Sequence, residues 1–123
     1  MQAHAQQVVE RYHAAFDGHR DDWQDLVTDD VVFEGPVQHA RGKAAFVDLT
    51  SQFLSAHRAT RLLKRIADND TVTSMFEFVS QPPNGQQVTC PVAEWATVRD
   101  ERISEFRVYY DPREFVRAFG MAD

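Results

Sequence analysis

Midway along this chain the apolar period changes, and that change constrains the fold more than any single motif. Up to about His57, apolar residues recur at helical spacing; from Arg61 onward they alternate with polar ones. The last run, Arg102-Ile103-Ser104-Glu105-Phe106-Arg107-Val108-Tyr109-Tyr110, sets Phe106, Val108 and Tyr110 against Glu105, Arg107 and Tyr109. This is the pattern of a strand with one apolar face. Asp111-Pro112 ends it, and Pro112 suits the first position of a short closing helix through Arg113-Glu114-Phe115-Val116. Helices followed by long antiparallel strands predict an α+β fold. A strongly bent, mainly antiparallel sheet closed by three N-terminal helices makes a cone, and a cone has an interior.

The elements follow from the same periodicities. Ala5, Val8, Val9, Tyr12, Ala15 and Phe16 predict a helix from Gln2 to Asp17, with Gly18 as its stop. Asp21 to Val27 predicts a short second helix that puts Trp23, Leu26 and Val27 on one side. Val31 to Glu34 reads as a short strand ended by Gly35-Pro36, followed by a loop with Gln38, His39 and Arg41. Lys43 to His57 reads as a third helix burying Phe46, Leu49 and Phe53. Strands are expected over Arg61–Ala67, Thr71–Ser80 and Gln86–Val98, with a hairpin turn at Pro82-Pro83-Asn84-Gly85.

The 123 residues make one domain, 1–123, large enough for a real core. A net charge of -6 argues against nucleic acid and anionic membranes as partners. The basic cluster Arg61, Lys64 and Arg65 reads as the solvated face of a strand. Cys90 is the sole cysteine, so no intrachain disulfide forms and a reducing compartment is expected. Met1 to Gln7 has neither the basic start nor the apolar run of a secretory signal, and no segment has the length of a membrane span, which predicts a cytoplasmic protein. His4, His13, His19, His39 and His57 lack metal-site spacing, and no glycine-rich phosphate-binding pattern occurs, so neither a metal nor a cofactor is expected.

The order of pieces resembles the nuclear transport factor 2-like superfamily, and within it the SnoaL-like (polyketide cyclase) and ketosteroid isomerase-like groups. The carrying residues are Val8 to Phe16, Trp23 through Phe33-Glu34-Gly35-Pro36-Val37, Arg41-Gly42-Lys43-Ala44-Ala45-Phe46, and Arg107 through Phe115. The likeness spans nearly the whole chain and rests on fold-forming residues. Fold does not imply function, and this superfamily holds isomerases, cyclases, hydrolases and non-enzymes. The resemblance implies a homodimer formed through the outer sheet face.

Ketosteroid isomerase chemistry needs a carboxylate base and donors for the developing oxyanion. The resemblance retains a tyrosine as Tyr12, but the two acid positions fall on Gly35 and Ala93, and the acid expected by a limonene epoxide hydrolase-like site falls on Val108. With Ala93 and Trp95 pointing inward, alternation sends Cys90 and Glu94 outward, and a pairing of Glu94 or Glu77 with Arg107 would read as an interface network. The candidates for chemistry are Tyr12 and His39, with Ser74, Thr97 and Tyr110 as further interior polar groups. His57 reads as a charged cap on the third helix. The apolar lining is expected from Phe16, Trp23, Phe33, Leu49, Phe53, Phe76, Phe78, Ala93, Trp95, Phe106, Val108, Tyr110 and Phe115. That composition suits a small hydrophobic molecule. Two functions stay open: cofactor-free isomerisation or cyclisation, and a non-catalytic binding or assembly module. A third variant relocates the base to His39 or Glu34.

Overall fold

The computed structural model describes residues 2–83 and 85–119. Helix α1 spans Gln2–Asp17 and is followed by a 3-10 helix, Asp21–Leu26. Strands β1 (Val27–Glu34) and β2 (His39–Arg41) precede helix α2 (Lys43–Ala56). Strands β3 (His57–Asp68), β4 (Thr71–Ser80), β5 (Val88–Arg99) and β6 (Arg102–Tyr109) follow, and helix α3 (Pro112–Phe119) closes the order. One mixed six-stranded sheet runs β2-β1-β6-β5-β4-β3 and is not closed. Only the β1–β6 pairing is parallel within it, and the rest are antiparallel. This is the expected α+β cone with its helices on one sheet face.

Several boundaries moved for physical reasons. The segment read as a loop around His39 forms β2, because Phe33 and Glu34 pair with Ala40 and His39. The 3-10 helix is a single short stretch rather than an α-helix, and it buries Trp23. The third helix stops at Ala56; His57 is its C-cap, donating its backbone N–H to Leu54 C=O, and also starts β3, but burial lowers its pKa, so it does not cap as a cation. Asn84 of the expected hairpin turn lies outside the described residues.

The end of α1 shows how a turn is held without glycine in its usual place. Arg20 N–H donates to Ala15 C=O at 2.9 Å and His19 N–H to Phe16 C=O at 3.0 Å, the two bonds of a Schellman cap. The left-handed position in that motif is His19, with φ 55°, not Gly18. A side chain there is disfavoured, and the His19 ring is pinned by a 2.9 Å hydrogen bond to His57. Gly42 before α2 does need to be glycine, since its φ is 89°.

The core sits between the helices and the inner sheet face. Phe46 of α2 stacks on Phe106 of β6 with ring centroids 5.2 Å apart, and Tyr12 of α1 meets the same ring at 5.0 Å. Trp23 closes this cluster edge-on to Tyr12, 6.2 Å away. Such aromatic pairs add to the transfer term of burial, on the order of 1 kcal/mol each. Among the described residues no helix is long and apolar enough to cross a membrane.

Candidate active site in the cone

Beyond that cluster the cone holds a cavity of about 100 Å³. Tyr12, Phe16, Phe33, Phe53, Phe76, Phe78, Phe106, Val108, Tyr110 and Phe115 line it, together with Val92, Thr50 and Thr60. Its volume is somewhat below that of an engineered apolar cavity of ~150 Å³ that takes benzene. The cavity is on the scale of a single six-membered ring, and a fused-ring molecule needs the wall to give.

Four expected lining residues lie elsewhere. Trp23 is packed in the core behind Tyr12, and Leu49 packs against the core from α2 without reaching the cavity. Trp95 is 40% exposed on the outer sheet face, with the Arg107 guanidinium 5.4 Å over its ring. Ala93 shares that outer face, opposite Tyr109 and Met75. The inward residues of β5 are Val88, Cys90, Val92, Glu94, Ala96 and Val98, an unbroken alternation in which the others are apolar or small and Glu94 alone is charged. The bulk of Trp95 suggested the opposite parity. Thr97 follows Trp95 outward, and Cys90 and Glu94 turn inward to the cavity.

His39 is not at the cavity. It is exposed on β2 and bonds Glu34 through Nδ1 at 2.7 Å. Glu77 pairs with Arg61 and Arg107 with Glu105, each at 2.8 Å, and among the described residues no ion pair links Glu77 or Glu94 to Arg107. Gly35 borders Phe33 and Val108: a Cβ there would lie 3.1 Å from Val108 Cγ2 and 3.3 Å from the Phe33 ring. The position where the resembled isomerases hold their base is thus occupied by neighbouring apolar side chains.

The chemistry-bearing cluster is a different one. Glu94 is 7% exposed, and its Oε1 accepts a 2.8 Å hydrogen bond from His13 Nε2. Nη2 of Arg65 donates to the other ring nitrogen, Nδ1 of His13, and Nε of Arg65 donates to Ser74 Oγ at 2.9 Å. A buried carboxylate without partners would pay a large desolvation cost, and this chain of donors offsets it. Arg65 reaches inward because β3 carries a bulge. Leu62 pairs with Phe76 and Lys64 with Met75, so Leu63 is the extra residue. After it, Arg65 sits opposite the inward Ser74, not on a solvated face.

Tyr12 stands on the same stretch of wall. Burial, then the Glu94 charge, raises its hydroxyl pKa well above the usual value, against a lowering hydrogen bond with Thr50. It therefore remains a neutral donor. Burial, and then the Cys90 thiol, pushes Tyr110 up to about 12. Its hydroxyl donates to Gln38 Oε1 at 2.9 Å. Burial raises the Cys90 thiol as well, ahead of Asp111 and Glu114, which makes it a poor nucleophile. At the rim, Asp17 and Thr60 border the cavity, and both approach His57: Nε2 lies 2.8 Å from Thr60 Oγ1 and 3.7 Å from Asp17 Oδ1. Among the described residues no three His, Cys, Asp or Glu side chains are arranged to hold a metal ion.

Sequence reasoning missed His13 and Glu94. The signals were present: His13 lies four residues after Val9 and three before Phe16, on the inward stripe of α1. Glu94 interrupts the apolar alternation of β5.

Comparison with known proteins agrees with this architecture. The chain aligns with a solved structure from Kribbella flavida at 26% identity, covering 91% of this chain and 90% of that one, with a TM-score of 0.81. A putative SnoaL-like polyketide cyclase from Jannaschia sp. CCS1 superposes with a TM-score of 0.84 at 17% identity, covering 100% of this chain and 96% of that one. A putative polyketide cyclase from Xanthomonas campestris gives 0.75 at 22% identity, covering 96% and 98%. No curated protein matches the chain significantly. The SnoaL-like domain profile matches residues 9–106, and with the cone fold this establishes that the chain belongs to the SnoaL-like domain family of the nuclear transport factor 2-like superfamily.

Proposed function

We propose that this protein is a cofactor-free proton-transfer enzyme acting on a small apolar ketone, in an isomerisation or cyclisation. One observation carries the reading: a buried carboxylate, Glu94, stands in a largely apolar cavity wall beside the protonated hydroxyl of Tyr12. Those are the two groups that such chemistry needs. In the first step Glu94 takes the proton from the carbon next to the carbonyl. The C–H pair becomes the new carbon–carbon π bond, and the carbonyl pair moves to oxygen, which accepts a hydrogen bond from Tyr12. Where the ligand is a β,γ-unsaturated ketone, the enolate extends over the neighbouring double bond, whose π pair takes the proton back from Glu94 at the γ-carbon as the carbonyl re-forms, so no oxidant or cofactor is consumed. The resemblance to putative polyketide cyclases is consistent with carbon-acid substrates.

The test uses cyclohexanone in heavy water, sized to the cavity, with deuterium uptake followed by NMR. The wild type exchanges faster than buffer, and Glu94→Gln loses roughly 10²- to 10⁴-fold of the acceleration, the usual worth of a positioned base. Binding of cyclohexanone without accelerated exchange supports the other open function, a non-catalytic binding module. Neither binding nor exchange removes the reading.

We also propose that a second copy of the chain covers the outer sheet face. Ile66, Trp95 and Tyr109 are half-exposed or nearly so there, around Met75 and Ala93. A contiguous exposed apolar patch of this kind is unusual on a monomer.

A further inference from the structure

The wall cluster has a definite proton order, and it follows from the valence of its members. A guanidinium has only donors, and Arg65 directs Nη2 at His13 Nδ1. Nδ1 must therefore present a lone pair. The single ring proton of His13 then resides on Nε2, where it meets an acceptor, Oε1 of Glu94, at 2.8 Å. An imidazolium would set an N–H against the guanidinium. We propose that Arg65 locks His13 as the neutral Nε2–H tautomer, so that His13 serves as a positioning residue and Glu94 alone accepts the substrate proton.

The alternative assignment, with histidine as base, is the one a His–Glu pair ordinarily suggests. Here neither ring nitrogen has a lone pair to offer the cavity: one is taken by Arg65 and the other carries the proton. Among the described residues Glu94 has no hydrogen-bond donor other than His13. Its remaining lone pairs are left for the cavity that it lines. The groups around the cluster are accounted for on each element. Glu10 of α1 approaches Arg65 at 3.9 Å, Ser74 of β4 accepts from it, and Glu94 of β5 closes the chain of bonds. Arg65 is 11% exposed at its side chain, and its charge faces Glu10 directly and Glu94 through the imidazole. The site as a whole is thus suited to a neutral ligand, with the free lone pairs of the carboxylate turned to the cavity.

This assignment rests on the proposed role of Glu94, but it is read without any substrate. Nitrogen NMR of labelled protein distinguishes a protonated ring nitrogen from one with a lone pair, and the His13 signals are identified by their loss in His13→Gln. The expected result at neutral pH is a protonated Nε2 and an unprotonated Nδ1. In Arg65→Met the Nδ1–H tautomer and the imidazolium gain population, and the Nδ1 signal shifts accordingly. A wild-type His13 that is an imidazolium or the Nδ1–H tautomer overturns the lock. So does an Arg65→Met spectrum unchanged from wild type. Should Arg65→Met not fold, Arg65→Gln is read in the same way. The cyclohexanone measurement separates the two claims. Exchange absent with the tautomer as described removes the enzyme reading and leaves the lock. Exchange present with the other tautomer leaves Glu94 or His13 as base and removes the lock.

Discussion

His13 and Glu94, 81 residues apart in sequence, are joined by a 2.8 Å hydrogen bond across the wall of the cone. The bond couples the middle of α1 to the centre of β5. It is also the point at which the buried acid is tied to the rest of the fold.

Removing one member of that bond should cost stability. Glu94→Ala leaves the His13 N–H without its acceptor in a site that is largely out of water, while Arg65 keeps Glu10. The expected loss is roughly 1.5–3 kcal/mol, the range for a hydrogen bond to a charged group. Urea unfolding measures it. Glu94→Gln, which keeps an acceptor for the His13 proton, should lose clearly less. Equal losses would show that the charge, not the hydrogen bond, sets the cost.

His57 makes the fold sensitive to acid. It is 2% exposed, wedged between the rings of Phe16 and Phe78, and burial lowers its pKa despite the opposing pull of Asp17, with His19 and Arg58 adding to the decrease. The unfolded chain then binds the proton more readily than the folded one. Stability is present above the ordinary histidine pKa and is lost as pH falls through it toward the lower folded value. Urea midpoints for the wild type should fall from about pH 7 to about pH 5 more steeply than those of His57→Gln. Parallel slopes would exclude His57 as the cause.

Restoring the isomerase acid should fail. Gly35→Asp places its Cβ 3.1 Å from Val108 Cγ2 and 3.3 Å from the Phe33 ring. Overpacking of this kind costs about 1–3 kcal/mol. The thermal midpoint should drop, with no gain in cyclohexanone exchange. Gly35→Asp combined with Val108→Ala should recover part of the stability.

The outer face offers a separate measurement. If a second copy covers it, sedimentation of the wild type gives a dimer, and Trp95→Glu, 40% exposed in the free chain, shifts it toward monomer. A wild-type monomer at tens of micromolar rejects the proposed pairing. The cavity is on the other side of the sheet, so the variant should keep its fold.

Much of the fold was legible because it depends on periodicity. The Phe106, Val108 and Tyr110 alternation predicted a cavity-facing strand, and each of these side chains lines the cavity. The site was less legible, for two reasons. On β5 the bulk of Trp95 outweighed the alternation on either side of it, though a tryptophan on an outer face is stabilised by the Arg107 stacked over it. On β3 no local residue announces the bulge at Leu63. Its extra residue appears only in the pairing with β4, so the direction of Arg65 depends on a strand still to come. Tyr12 and His39 were the expected chemical groups. Tyr12 is at the cavity, and His39 is held on β2 by Glu34.

The bulge at Leu63 has a consequence reaching beyond its own strand. β3 is an edge strand, and its extra residue at Leu63 decides whether an arginine faces bulk water or the imidazole of His13. Were Leu63 paired in a strand without the bulge, alternation would run on from Leu62 and turn Arg65 to the outside. The imidazole would lose its fixed proton order, and the carboxylate two strands away would lose its counter-charge. A single bulge at the margin of the sheet thus acts as the ionic setting of its interior.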